Sequence, residues 1–386
     1  MTAILLGKIA FVLLVVMAGF LPMITWVERK QSAVMQDRIG ANRADIAGIT
    51  VLGMLHPLTD VLKLFAKEDF VPQGANRVLH LLAPVLSLVP AIITLAVIPF
   101  GGVYDFGGAE PLSLVIADVD WGMLYVFAVG AIAAYGAVIS GWASNNNWAL
   151  LGSLRASAQI ISYEVTMGLS IVGVFMCFQT LSLQEMSLAQ DSSFRLLGFL
   201  VHFGLMESLP AWLEWIRVPT WGIFLQPLGF VLFLTCIMAE NKRPPFGLPE
   251  GESEIVAGYH LEYSGMRWGL FYTAEFLEIP LIGCIVTAAF LGGWTIPYLD
   301  TATLIAGVGG LFGEGFATGV AVVLHVSAFF LKVIVMIWLQ MAIRWSMPQF
   351  RYDQVMDLCW KIMLPLSLAN IFVTGLVILW LQGLGS

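Results

Sequence analysis

Charged residues are scarce in this sequence. Of its 386 residues, only 11% are Asp, Glu, Lys or Arg, whereas 59% are hydrophobic. Soluble domains usually carry about 25% charged residues, so a chain of this length could not cover a water-facing surface with so few. The composition therefore excludes a soluble globular protein and predicts a membrane protein. The net charge of −8 also excludes nucleic acid as a partner, because such binding requires clustered positive charge.

Cysteine is scarce as well, and its pattern does not fit a metal site. Cys177, Cys236, Cys284 and Cys359 lie in or beside apolar stretches, and none forms a CxxC pair. Zinc and iron–sulfur sites need clustered thiolates. The sequence also lacks GxxxxGK[ST] and a GxGxxG between a strand and a helix, so no nucleotide site is predicted. We therefore expect any redox centres to belong to partner chains.

Eight apolar stretches are long enough to cross a bilayer, which needs about 20 residues in a helix. They are 4–27, 79–100, 122–142, 158–180, 221–240, 268–291, 317–341 and 359–382. The first stretch is too long for a signal peptide and is expected to be retained. A shorter apolar stretch, 194–209, is predicted as an interfacial or re-entrant helix within an extended segment, 181–220. We predict an all-α polytopic membrane protein with one domain over residues 1–386.

The distribution of Lys and Arg predicts the orientation of the chain. Fourteen of the eighteen cations lie in the loops 28–78, 143–157, 241–267 and 342–361. Cytoplasmic loops carry such an excess of positive charge. These loops are therefore expected to face the cytoplasm of a bacterial inner membrane, or the matrix of an organelle as the alternative, with both termini on the opposite, periplasmic side.

The first basic loop contains a second kind of helix. From Pro57, a favoured first helical residue, hydrophobic residues repeat with a period of 3.6 to about residue 69, and Asp60, Lys63 and Lys67 lie between them. This pattern is typical of an amphipathic helix on a membrane surface. The helix is either a simple surface anchor or part of a site that includes Asp60.

Ionisable residues inside the apolar stretches are the strongest functional signal. Each costs roughly 2.5–3.5 kcal/mol to insert, so it needs a reason to be there. They are Glu164, Glu240, Glu275, Glu278 and Lys332. A carboxyl group buried in this way is a candidate proton carrier; the alternative is a polar contact that only fixes helix packing.

The loop 239–265, AENKRPPFGLPEGESEIVAGYHLEYSG, combines rigidity with charge. Three prolines in its first half prevent a regular helix, and Glu250, Glu252 and Glu254 follow within five residues. Such a loop either lines a cavity, docks a soluble partner, or is simply a solvated charged loop.

Four segments resemble the H subunit of bacterial complex I, the NADH:quinone oxidoreductase. They are ERKQSAVMQDRIGANR at 28–43, GWASNNNWALLGSLRASAQIISYE at 141–164, the loop 239–265, and PQFRYDQVMDLCWK at 348–361. The resemblance implies a subunit that forms the membrane half of a quinone cavity and binds no cofactor itself. Its substrate would be ubiquinone or menaquinone. Iron–sulfur clusters and FMN would lie in partner subunits, and the membrane partners would be antiporter-like subunits.

The resemblance also implies roles for individual residues. The quinone cavity would be formed by Glu28, Arg29, Asp60, Arg243, Phe246, Glu250, Glu252 and Glu254. The proton path would include Asp60, Glu164, Glu240, Glu254 and Glu275, with Glu278 and Lys332 as further candidates.

The sequence departs from the family pattern at several positions. Ala41 stands where the family usually has proline, Gly247 where it has aspartate, and Gln349 where it has arginine. Some relatives carry an acid in the third span, whereas residues 122–142 contain none.

Three other functions remain open from the sequence alone. The closest is the equivalent subunit of a membrane-bound hydrogenase or of another donor's dehydrogenase. A stand-alone ion transporter would show an inverted repeat with broken helices, which we do not find. A purely structural anchor would leave Glu164 and Glu275 without a reason to lie in the bilayer.

Overall fold

Helices dominate the architecture. A computed structural model describes residues 2–46, 48–106, 111–195, 217–247, 258–299 and 301–384. Within these ranges, the strands form two small antiparallel pairs: β1 (Val103–Tyr104) with β2 (Leu112–Ser113), and β3 (Ser193–Arg195) with β4 (Arg217–Pro219). The predicted all-α membrane fold class is confirmed.

The helices are numbered in chain order. They are α1 (Thr2–Leu13, continuing through the π-helical Leu14–Phe20), α2 (Leu21–Met35), α3 (His56–Ala66), α4 (Arg77–Thr94), α5 (Gly122–Ala143), α6 (Asn147–Phe178), α7 (Leu183–Ala189), α8 (Gly222–Leu225), α9 (Pro227–Glu240), α10 (Gly265–Phe290), α11 (Thr301–Phe312), α12 (Glu314–Ser346), α13 (Tyr352–Asp357, continuing through the π-helical Leu358–Met363) and α14 (Leu364–Leu384). Short 3₁₀ turns occur at Val51–Gly53, Leu95–Val97 and Gly258–His260.

In the part of the chain that the structure describes, seven helical stretches are long and apolar enough to cross a membrane. They are Leu5–Met35, Arg77–Val97, Gly122–Ala143, Asn147–Phe178, Gly265–Phe290, Glu314–Ser346 and Tyr352–Gln382. The remaining predicted span, 221–240, is divided into α8 and the 14-residue α9. Gln226 interrupts it with a non-helical backbone. Pro227 can begin α9, because the first residue of a helix does not need the backbone N–H that proline lacks.

Two helices extend well beyond the apolar stretches that predict them. Helix α2 continues to Met35, and α6 begins at Asn147. Residues 28–35 contain neither glycine nor proline, so nothing stops α2 where its apolar run ends. Asn146 caps α6 by accepting a hydrogen bond from the backbone N–H of Trp148 at 2.9 Å. The extension of α2 makes Glu28 and Arg29 helical and fixes their directions.

Helix α3 forms where the amphipathic pattern predicts it. It ends at Ala66, because Lys67 adopts an extended backbone. The Ser264 hydroxyl donates to the backbone carbonyl of Glu68 at 2.7 Å. This contact ties the end of α3 to the start of α10. The segment 196–216, which holds most of the predicted re-entrant stretch, lies outside the described residues.

Helix α10 is the core of the protein. In the most apolar 18-residue stretch of α10, 89% of the residues are buried, compared with 17% in the corresponding stretch of Tyr352–Gln382. It packs against α2, α3, α4 and α12, whereas α6 packs against α5, α9 and α14. Glu275 on α10 is therefore surrounded by protein and not by lipid.

Close backbone contact at Gly152 gives a first prediction. A Cβ atom there would lie 2.7 Å from the carbonyl carbon of Gly258 and 2.8 Å from the backbone nitrogen of Tyr259. We expect Gly152→Ala to destabilise the protein by about 1–3 kcal/mol through overpacking, measured by thermal unfolding in detergent. Gly168→Ala is the control, because the same helix has open space there. Equal melting temperatures for the two variants would contradict the prediction.

Candidate functional site

A buried ion cluster lies where α2, the start of the loop after α9, and α12 meet. Glu28 Oε2 accepts a hydrogen bond from Arg243 Nη1 at 3.1 Å, and Glu28 Oε1 forms an ion pair with Arg344. Glu28 and Arg243 are each only 8% exposed. The cluster places two guanidinium groups beside one carboxylate in a poorly solvated place. Guanidinium groups held in this way suit a ligand on which negative charge develops.

A second ion pair lies at the surface of the same region. Arg29 Nη2 donates to Asp60 Oδ2, which links α2 to α3. Both side chains keep more than a third of their surface exposed. An exposed pair contributes little to stability, so its main effect is to hold the surface helix beside the end of α2.

An aromatic stripe leads along α10 to the ion cluster. Trp268, Tyr272 and Phe276 follow at intervals of four residues, with ring centroids 5.1 Å and 4.4 Å apart. The Phe276 ring lies 4.0 Å from the Arg243 guanidinium carbon. Flat apolar surfaces that end at a cation fit a planar, electron-accepting ligand.

Phe246 is placed apart from this stripe. Its ring packs between those of Tyr163 and Phe350, with centroids 5.6 Å from each. The Gln159 amide donates to the backbone carbonyls of Ala239 and Phe246, at 2.8 and 3.0 Å. These contacts fix the loop that carries Arg243, so Phe246 helps to hold that loop in place.

Two predicted carboxylates face one cavity. Glu240, the last residue of α9, and Glu278 on α10 line a space of about 60 Å³ together with Asn241. With its amide nitrogen turned towards them, Asn241 donates to Glu278 Oε2 at 3.0 Å and to the backbone carbonyl of Glu275 at 3.3 Å. Asn241 therefore connects the loop of the ion cluster to the acids of α10.

Neither Glu275 nor Glu164 lines this cavity, although each stands on a helix that contributes to its wall. Glu275 is 7% exposed and accepts a hydrogen bond from the Tyr259 hydroxyl at 3.3 Å. The Lys242 ammonium lies 5.3 Å from the centroid of the Tyr259 ring. Among the described residues, Glu164 Oε1 is buried without a hydrogen-bond partner. Glu240 and Glu278 thus share one cavity, and Asn241 links Glu278 to the backbone of Glu275.

Lys332 lies apart from this group. Its ammonium donates to the backbone carbonyls of Leu291, Gly293 and Thr295 at 2.7, 2.9 and 2.7 Å. It also lies 4.6 Å from the centroid of the Trp221 ring. Three carbonyl acceptors match the three donors of an ammonium group. These contacts favour a structural role at the end of α10.

The sequence analysis did not select some residues of the site. Arg344, Asn241 and Tyr259 were not predicted as site residues, although all three contact predicted ones. Asn241 and Tyr259 stand in the segment 239–265 that carries the resemblance, which was the available signal. Glu250, Glu252 and Glu254 lie outside the described residues.

His260 gives a prediction for the pH dependence of stability. Burial lowers the pKa of His260, and Lys242 lowers it further, while Glu275 opposes them. A histidine kept neutral by folding stabilises fully above its unfolded pKa of about 6.5 and loses this contribution as the pH falls towards the lowered folded pKa.

We therefore expect His260→Gln to lose less stability than the unsubstituted protein between about pH 7.5 and about pH 5.5. Thermal unfolding in detergent at the two pH values measures this difference. At the higher pH the imidazole is neutral in both the folded and the unfolded protein, so the measurement at that pH is the internal control. Equal losses of stability in the variant and in the unsubstituted protein would contradict the lowered pKa of His260.

Comparison with known proteins identifies the family of this chain. A sequence profile of the family described as NADH dehydrogenase matches residues 7–375. An H subunit of the NADH-quinone oxidoreductase of Cytophaga hutchinsonii is 41% identical over 355 residues, covering 92% of this chain and 91% of the relative. The H subunit from Thermomicrobium roseum is 40% identical over 378 residues, with 98% and 96% covered. An H subunit from Geobacter metallireducens is 41% identical over 379 residues, with 98% and 97% covered. Since the match extends over nearly the whole chain, this protein belongs to the NADH dehydrogenase family.

Proposed function

We propose that the chain is the membrane subunit of a proton-pumping NADH:quinone oxidoreductase that forms the quinone cavity and the start of a proton path. One observation carries the proposal. The buried cluster of Glu28, Arg243 and Arg344 adjoins the aromatic stripe of α10, and Asn241 leads from its loop to the carboxylates. The names of the relatives support the same function.

The aromatic stripe and the ion cluster would each bind a different part of the quinone. Trp268, Tyr272 and Phe276 provide flat surfaces for the ring and its tail. Electrons come from a partner subunit's iron–sulfur cluster, and reduction places negative charge on the quinone oxygens. Arg243 and Arg344 stabilise that charge because they are already held in position by Glu28. Arg29 and Asp60 close the cavity on the side of the surface helix.

Proton transfer would follow from the same charge. Negative charge on the quinone attracts protons towards the nearest carboxylates. The protonation states of these carboxylates are coupled. The path would run through Asp60, Glu254, Glu275, Glu240 and Glu164. From there it would continue into antiporter-like membrane partners of a bacterial inner membrane.

The first experiment tests the complex itself. The chain is tagged and extracted in mild detergent, and the purified material is assayed for NADH-dependent quinone reduction. Activity that a quinone-site inhibitor blocks would support the proposal. Iron–sulfur partners without NADH activity would point to the equivalent subunit of another donor's enzyme, and a chain that purifies alone would favour a transporter.

The second experiment tests the path. In the assembled complex, Glu240→Gln is expected to reduce protons pumped per electron, because an amide cannot carry the proton. Normal pumping would remove Glu240 from the path while leaving the quinone cavity in place.

A further inference from the structure

We propose that Glu278 is a proton-transfer residue that shares one proton with Glu240 across the cavity between α5, α9 and α10. This inference rests on the proposed function and adds a residue to it.

The first support is the shape of the cavity. Its volume is about 60 Å³, whereas one water needs about 10–15 Å³ of such space. The cavity therefore has room for a few water molecules. Pro90, Met123, Phe127, Met167, Phe233 and Leu281 form much of its wall. With such an apolar wall, water inside finds its polar partners mainly at the two carboxylates and at Asn241.

The second support is the arrangement of charge. Two carboxylates that line one partly open, largely apolar space repel each other when both are ionised. This repulsion favours a state in which the pair holds one proton. Asn241, which is 3% exposed, donates to Glu278 Oε2 and keeps that oxygen an acceptor. A proton on Glu240 then has an acceptor within reach through water.

The third support is Gly130 on α5. A Cβ atom at this position would lie 3.4 Å from Glu240 Oε1. Any larger side chain would therefore enter the cavity beside the carboxylate. Helix α5 contributes no acid of its own, so Glu278 supplies the second carboxylate of the cavity and Gly130 keeps the space open.

The test uses the assembled complex and measures proton pumping per electron, together with quinone reduction in uncoupled membranes. Glu278→Gln is expected to lower coupled proton transfer about tenfold or more, and Glu278→Asp is expected to restore much of it. Gly130→Val keeps both carboxylates and fills the cavity, so it should also lower pumping. Glu314→Gln, an exposed acid at the start of α12, is the control.

The outcomes separate this inference from the proposed function. Loss in Glu240→Gln with full pumping in Glu278→Gln would overturn the inference and leave the proposed path intact. Full pumping in both variants would overturn the path as well. A loss in Glu278→Gln that Glu278→Asp does not rescue would indicate a structural role and overturn the inference. If Glu278→Gln does not assemble, Gly130→Val decides: reduced pumping supports the shared proton, and full pumping overturns it.

Discussion

Replacing Glu28 with glutamine is expected to have the largest effect on activity of any single substitution proposed for this protein. The variant leaves Arg243 and Arg344 without their shared carboxylate in a buried place. Removing one partner of a buried ion pair costs about 3–5 kcal/mol, because the remaining charge is uncompensated. We expect little assembled complex and almost no quinone reduction, measured by native gel electrophoresis and by NADH-dependent activity.

The matched control for Glu28→Gln is Asp357→Asn. Asp357 Oδ2 pairs with Lys361 at 2.7 Å, but both side chains are more than 60% exposed. Exposed pairs contribute roughly 0–1 kcal/mol, so assembly and activity should be unchanged. If the two variants behaved alike, the buried cluster would not be the organising contact of the site.

Lys332→Met is expected to have the second largest effect, on stability and not on chemistry. Methionine fills a similar volume but leaves three backbone carbonyls without their donor. Each unsatisfied acceptor costs about 1–3 kcal/mol. Leu291, the residue directly after α10, also lies roughly 20 Å from Glu278, at about 1.5 Å per helical residue. We therefore expect a much lower melting temperature, with normal proton pumping in the complexes that do assemble.

A graded comparison checks this interpretation of Lys332. Lys8 Nζ donates to one backbone carbonyl, that of Val115, at 3.0 Å. Lys8→Met should therefore lower the melting temperature less than Lys332→Met. Reduced pumping without reduced stability in Lys332→Met would instead place Lys332 in the proton path.

Much of the fold could be predicted because membrane insertion depends on local sequence. An apolar stretch of sufficient length is compatible with lipid whatever lies around it. The ends of the helices were less predictable, because capping and backbone chemistry decide them. Gln226 shows this: its side chain joins Thr374 and Asn370 on α14 at 2.8 and 3.0 Å. Only the folded structure shows that the hydrogen bonds of Gln226 with these two residues favour a break in an otherwise apolar stretch.

The site was partly predictable for a related reason. The cost of burying charge singled out Glu164, Glu240 and Glu275 from sequence alone. The same argument could not select Arg344, since it stands at the end of its span like many other cations. Its pairing with Glu28 depends on how α2 and α12 are rotated towards each other.

The ion cluster joins parts of the chain that are synthesised at very different times. Arg243 follows Glu28 by 215 residues, and Arg344 follows it by more than 300. At translation rates of about 5–20 residues per second, α12 emerges on the order of 15–60 s after α2. Until then, Glu28 lacks its partner on α12. The nascent protein therefore completes the cluster only when its last long helices insert.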